Sequence, residues 1–173
     1  MKTKVILVIA VLGAAGAARA FGAAPPPPES RVSVIPVDPQ KFTDAKRDSW
    51  SGTSPELVGE LQDFFQKTGE AYVPAGMRLE IRLTDVDLAG EFEPQRGPRF
   101  DDIRIVKAVY PPRINLQFKL TNAQGKVVRS GERRLTDLGF EMQTVWPPDD
   151  HLRFEKEMIR DWYAQEFHGL KPG

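Results

Sequence analysis

Asp85 and Asp87 are the residues whose type and spacing come closest to chemistry in this sequence. Two apart on an extended chain, they share a face, with carboxyls about 6–7 Å apart by strand rise. That lies between the separations used by retaining and inverting glycosidases. Such a pair works only if burial raises the pKa of one member, and burial is not written in a sequence. The run Asp85-x-Asp87-x-x-Gly90-Glu91 also starts like a calcium loop, in which hard oxygen ligands alternate. In an EF-hand register begun at Asp85, however, Ala89 takes an acidic slot and Arg96, a cation, takes the closing position. The favoured expectation is plainer: Asp85 caps a turn or pairs with a nearby Arg78, Arg82 or Arg104.

Other chemistries have less to stand on. There is no cysteine and no Gly-x-Ser-x-Gly elbow. The two histidines, His151 and His168, are too far apart for a helical zinc pair. The reading therefore names no catalytic residue, no metal site and no cofactor. It keeps one candidate polar network, Asp85, Asp87, Arg104, Glu155 and Lys156, which exists only if the fold brings these residues together. Tyr110 and Trp146 are the candidate partner surface.

The elements that must position these residues follow from periodicity. Met77, Leu79, Ile81 and Leu83 alternate with Arg78, Glu80, Arg82 and Thr84, the pattern of a strand with one buried face. Val86 and Leu88 fall on the other parity, so the strand ends near Asp85 or is bulged there. Arg113–Thr121 alternates most cleanly, and Asn122-Ala123-Gln124-Gly125 reads as a hairpin loop into an outer strand, Lys126–Leu135. Arg31–Val37 contains Pro36, which suits an edge. Ile103–Tyr110 reads as a further strand, apolar on both parities.

Thr53-Ser54-Pro55-Glu56 announces a helix, with Thr53 and Glu56 in capping-box register. The stripe Leu57, Val58, Leu61, Phe64 and Phe65 is its core face. A last helix is expected from about His151 to Phe167, capped by Asp149 or Asp150, with Leu152, Met158, Ile159, Trp162, Tyr163 and Phe167 inward. The fold class is α+β: a mixed, mainly antiparallel sheet of about five strands with two helices packed on one face.

Lys2 and Lys4, the apolar run Val5–Leu12 and Ala18-Arg19-Ala20 predict a signal peptide cleaved after Ala20. Residues 21–30 then form a Pro/Ala-rich linker, 31–168 one domain, and 169–173 a flexible tail. Cleavage leaves 153 of the 173 residues, enough for one core, and takes the formal charge from 0 to −3 as Lys2, Lys4 and Arg19 depart. A slightly acidic domain with no basic run longer than Arg133-Arg134 argues against nucleic acid. An exported chain without cysteine has neither disulfides nor a thiol to lipidate. The expectation is a soluble periplasmic domain with no membrane span after cleavage. It is read as non-enzymatic, binding an envelope protein or small ligand; the alternative is a small acid-dependent hydrolase or ligand-binding domain with Asp85 and Asp87 at its site.

Four stretches carry a resemblance: Asp38-Pro39-Gln40-Lys41-Phe42-Thr43-Asp44, Thr84-Asp85-Val86-Asp87-Leu88-Ala89-Gly90, Tyr110-Pro111-Pro112, and Phe154-Glu155-Lys156-Glu157-Met158-Ile159-Arg160-Asp161-Trp162. Together they resemble a family of exported bacterial proteins, domain of unknown function 3016. The resemblance implies a single exported domain and carries over no activity, ligand or catalytic residue.

Overall fold

Alternation and stripe become a mixed sheet and two helices. In the computed structural model, which describes residues 30–170, β1 (Val32–Pro36) precedes α1 (Pro55–Gly69) and β2 (Arg78–Asp87). Two short strands follow, β3 (Glu91–Phe92) and β4 (Arg104–Ile105), then β5 (Arg113–Thr121), β6 (Val127–Thr136) and α2 (Arg153–Glu166). The expected signal peptide, the linker up to Glu29 and the last three residues lie outside the described part. Leu170, assigned from sequence to the tail, packs against the core.

The main sheet has four strands in the order β1-β2-β5-β6, with β1 parallel to β2 and the other neighbours antiparallel. The expected strand Ile103–Tyr110 contributes only Arg104–Ile105, paired with β3 in a separate two-stranded ladder. Its apolar residues do not find a core: Ile103, Val106 and Val109 are exposed. The break after Leu83 is a bulge. Register slips between Leu83 and Asp85, so Leu79, Ile81, Leu83 and Val86 are all buried while Asp85 and Asp87 oppose Asn115 and Arg113 on the other face.

One core joins α1 (Leu57, Val58, Leu61, Phe65) and α2 (Met158, Ile159, Trp162, Tyr163) to the buried residues of β2 and β5. Each fully buried Leu or Phe contributes about 1.5–3 kcal/mol by leaving water. Trp162 meets Phe65, Phe118 and Phe167 edge-on with centroids 6.0, 5.8 and 5.5 Å away. The Tyr163 hydroxyl donates to the Phe65 carbonyl at 2.8 Å. Gly69 makes room for that ring: a Cβ there would lie 2.6 Å from the tyrosine oxygen.

α1 begins one residue later than its sequence suggests. Ser54, not Thr53, is the N-cap; its hydroxyl accepts from Leu57 N at 3.3 Å and donates to Glu56 at 2.6 Å. This places Pro55 at the first helical position, where its missing N–H is no loss. Ahead of α2, Asp150 accepts from Leu152 N at 2.9 Å. A second small cluster, Ala89, Phe140 and Phe154, pins the connection between β6 and α2, the two phenyl rings 4.9 Å apart and perpendicular.

The two flanks of the sheet differ. On β1 the odd residues bond β2, as Leu79 N to Arg31 O and Val37 N to Leu83 O show. The even residues face outward, and most of their polar groups are capped. The Ser30 hydroxyl accepts from Val32 N and donates to Val32 O, Gln62 donates to Val34 O at 3.0 Å, and Pro36 has no N–H. Along β6 the only described side-chain cap is Arg133 Nη1 on the Glu132 carbonyl at 2.9 Å.

Candidate functional site

The exit of β2 is where the fold concentrates charge. Asp44 bridges to it through the backbone, its N–H donating to Val86 O and its carbonyl accepting from Leu88 N, both at 2.9 Å. The Asp44 carboxylate is buried and takes a two-pronged bond from Arg104, Nη1 to Oδ2 at 2.8 Å and Nη2 to Oδ1 at 3.0 Å. Arg104 also donates to the carbonyls of Gly90 (3.0 Å) and Lys46 (3.1 Å), and its guanidinium lies 4.5 Å from the Phe92 ring centre. Gly90 has a φ of 82° and donates to Tyr110 O at 3.0 Å; a Cβ there would come within 2.8 Å of the Ile105 carbonyl.

The other carboxylates are also committed. Asp85 accepts from Thr43 N at 2.8 Å and from the Thr43 hydroxyl at 2.9 Å. Asp87 binds Arg113 Nη1 at 3.0 Å. Burial pushes the Asp87 carboxyl above its ordinary pKa; Arg113 opposes this, while Asp44 and Asp85 add to it. Glu155, in the first turn of α2, is fully buried and accepts from Ala89 N at 2.6 Å through Oε1. Its Oε2 has no hydrogen-bond partner among the described residues. Burial raises its pKa despite the Ala89 bond and the charges of Arg104 and Arg153.

Of the five residues proposed from sequence, Asp85, Asp87, Arg104 and Glu155 therefore surround Thr43–Asp44 and Val86–Gly90. Lys156 is held elsewhere, by Glu60 at 2.6 Å and Asp150 at 2.7 Å. Burial works against its charge, but these two carboxylates raise its pKa. The four stretches that carry the resemblance thus meet around one bulged strand end. Asp44, Glu60 and Glu93 were missed as organising residues. Asp44 had a local signal, a carboxylate between the apolar Phe42 and Ala45, both buried. Glu93, in a charged loop, had none; it is buried and binds Lys107, Arg96 and the Tyr110 hydroxyl.

Tyr110 is accordingly half-buried and tied down, whereas Trp146 is 79% exposed. Leu138 (74%) and Met142 (92%) are exposed on the same connection. A cleft of about 640 Å³ lies between β6 and α2, and one of about 220 Å³ beside Leu88, Phe92, Arg104 and His151. Neither is lined by Asp85 or Asp87. Among the described residues, no three His, Cys, Asp or Glu side chains are grouped to hold a metal ion, and no helix is long and apolar enough to cross a membrane.

Fold and site together define a small α+β domain whose buried charges bind its own scaffold. The chain belongs to the family described as protein of unknown function (DUF3016), whose family model matches residues 30–165. No curated protein and no solved structure matches it.

Proposed function

We propose that this is an exported, periplasmic, non-enzymatic domain that binds a partner protein in the cell envelope. The observation that carries the reading is the contrast between its two candidate surfaces. At the β2 exit, every one of Asp44, Asp85, Asp87 and Glu155 already holds an intramolecular hydrogen bond. On the connection from Asp137 to Asp150, Leu138, Met142 and Trp146 stand in solvent above the buried Phe140 anchor. Asp137, Glu141 and Asp149 lie among them with no Lys or Arg, while Asp150 is held by Lys156. The chemistry that fits is an apolar partner surface rimmed by cations. Both helices backing one face of the sheet belongs to the same reading; it is supported by both helices sharing a core with one parity of β2 and β5. Tyr110, held by Glu93, is not part of this reading.

The acid-dependent alternative has one observation on its side, the raised Asp87 carboxyl, but that group is held by Arg113.

Photo-crosslinking in intact cells tests the proposal. A crosslinker at Met142 or Trp146 is expected to capture a defined periplasmic protein, and one at Gln117, exposed on the opposite polar sheet face, is not. Capture should disappear with Trp146→Ala. Equal labelling from all positions, none from any, or a protein retained in the cytoplasm with its first twenty residues attached would overturn it.

A further inference from the structure

The flank of the main sheet at β6 is left open among the described residues. β6 is ten residues long, no strand pairs with its outer side among the described residues, and the opposite flank at β1 is largely capped. Edge strands are commonly guarded by charge, but here the charges alternate in sign. Glu132 and Arg134 project from the open sheet face, opposite Gln117 and Asn115 of β5. Neither the Glu132 carboxylate nor the Arg134 guanidinium has an ion-pair or hydrogen-bond partner among the described residues.

We infer that two copies pair antiparallel through β6 about a two-fold axis at Arg133, joining their sheets into one of eight strands. In that register Glu132 faces Arg134 of the second copy, twice by symmetry, and Ser130 faces Thr136. On the core-side face Gly131 meets Leu135, and Arg129 meets Asp137, the residue just past the strand. The register is specific. A slide of two residues one way sets Glu132 against Glu132, and the other way sets Arg134 against Arg134. The two Arg133 residues meet at the axis, where each is already neutralised by Glu166 of its own α2 at 2.7 Å. The cleft of about 640 Å³ lined by Arg129, Arg133 and Leu135 of β6 and by Met158 and Trp162 of α2 leaves room for the core-side residues of the incoming strand.

Charge reversal tests this. Protein purified from cells is examined by sedimentation velocity over a concentration series. The wild type is expected to sediment as a dimer, and Glu132→Arg and Arg134→Glu, each creating two like-charge contacts, raise the dissociation constant at least about tenfold. The double variant Glu132→Arg/Arg134→Glu restores the contacts with reversed polarity and re-forms the dimer. Both residues are exposed, so circular dichroism is expected to show all three variants folded. A wild type that stays monomeric throughout overturns the inference. So do single variants that dimerise as tightly as wild type, or a folded double variant that does not re-associate.

Discussion

Arg104 is the residue on which the β2 exit depends. Its guanidinium serves both oxygens of a buried carboxylate and two carbonyls at once. Arg104→Ala strands the Asp44 charge in the interior and is expected to cost about 3–5 kcal/mol in urea denaturation. Arg104→Lys recovers only part, because a point charge on a single stem cannot reproduce the fork; full recovery would contradict this account. Glu155 sets a pH dependence. Burial raises its folded pKa above the unfolded value, so the folded state prefers the protonated form. Its contribution is fully present below the unfolded carboxyl pKa and is lost as pH rises through the raised folded value. Glu155→Gln keeps an acceptor for Ala89 N and has no proton to lose. It is expected to gain stability relative to wild type as pH rises from acid to neutral; parallel profiles would refute the role. Arg104 and Glu155 were named from the sequence as members of one network, but the Asp44 carboxylate that Arg104 serves was not legible there. Asp44 and Arg104 are sixty residues apart, and no periodicity reports a contact over that distance.

At the level of elements, local signals read well where one face is buried and poorly where none is. β2 and β5 alternate because β-strand geometry sends successive side chains to core and solvent, and the bulge announced itself as a parity change at Val86. Ile103–Tyr110 has the composition of a strand, but its anchors are ionic. Arg104 turns to Asp44, and Lys107 and Tyr110 turn to Glu93, so the backbone leaves the ladder after Ile105. The start of α1 illustrates a finer miss. Thr53 and Ser54 are chemically similar caps, and the position of Pro55 decides between them. Ser54→Ala is expected to lower stability by about 1 kcal/mol and Thr53→Ala to leave it nearly unchanged, read from paired thermal melts.

Across the whole molecule, order is unequal. β2 and β5 form the central pair, flanked on both sides and covered by the aromatic core, while residues 93–112 are fastened mainly by ion pairs around Glu93 and Arg104. Native-state hydrogen exchange is expected to place β2 and β5 amides near the global unfolding free energy and those of 93–112 well below it. Arg104→Ala should widen that gap; a uniform protection pattern would count against the hierarchy. The overall class, α+β with helices before β2 and at the end, was accessible because each helix carries its own apolar stripe. The allocation of strands between two sheets was not, since it depends on which carboxylate each distant cation reaches.

The sealing of β1 by Ser30, Gln62 and the imide of Pro36 has a topological consequence. A layer of strands with a single adhesive border can recruit once and then stops, because joining uses up the adhesive border of both members and leaves only inert ones outside. On the inferred β6 pairing, the capping at β1 works against further growth of the main sheet from that border.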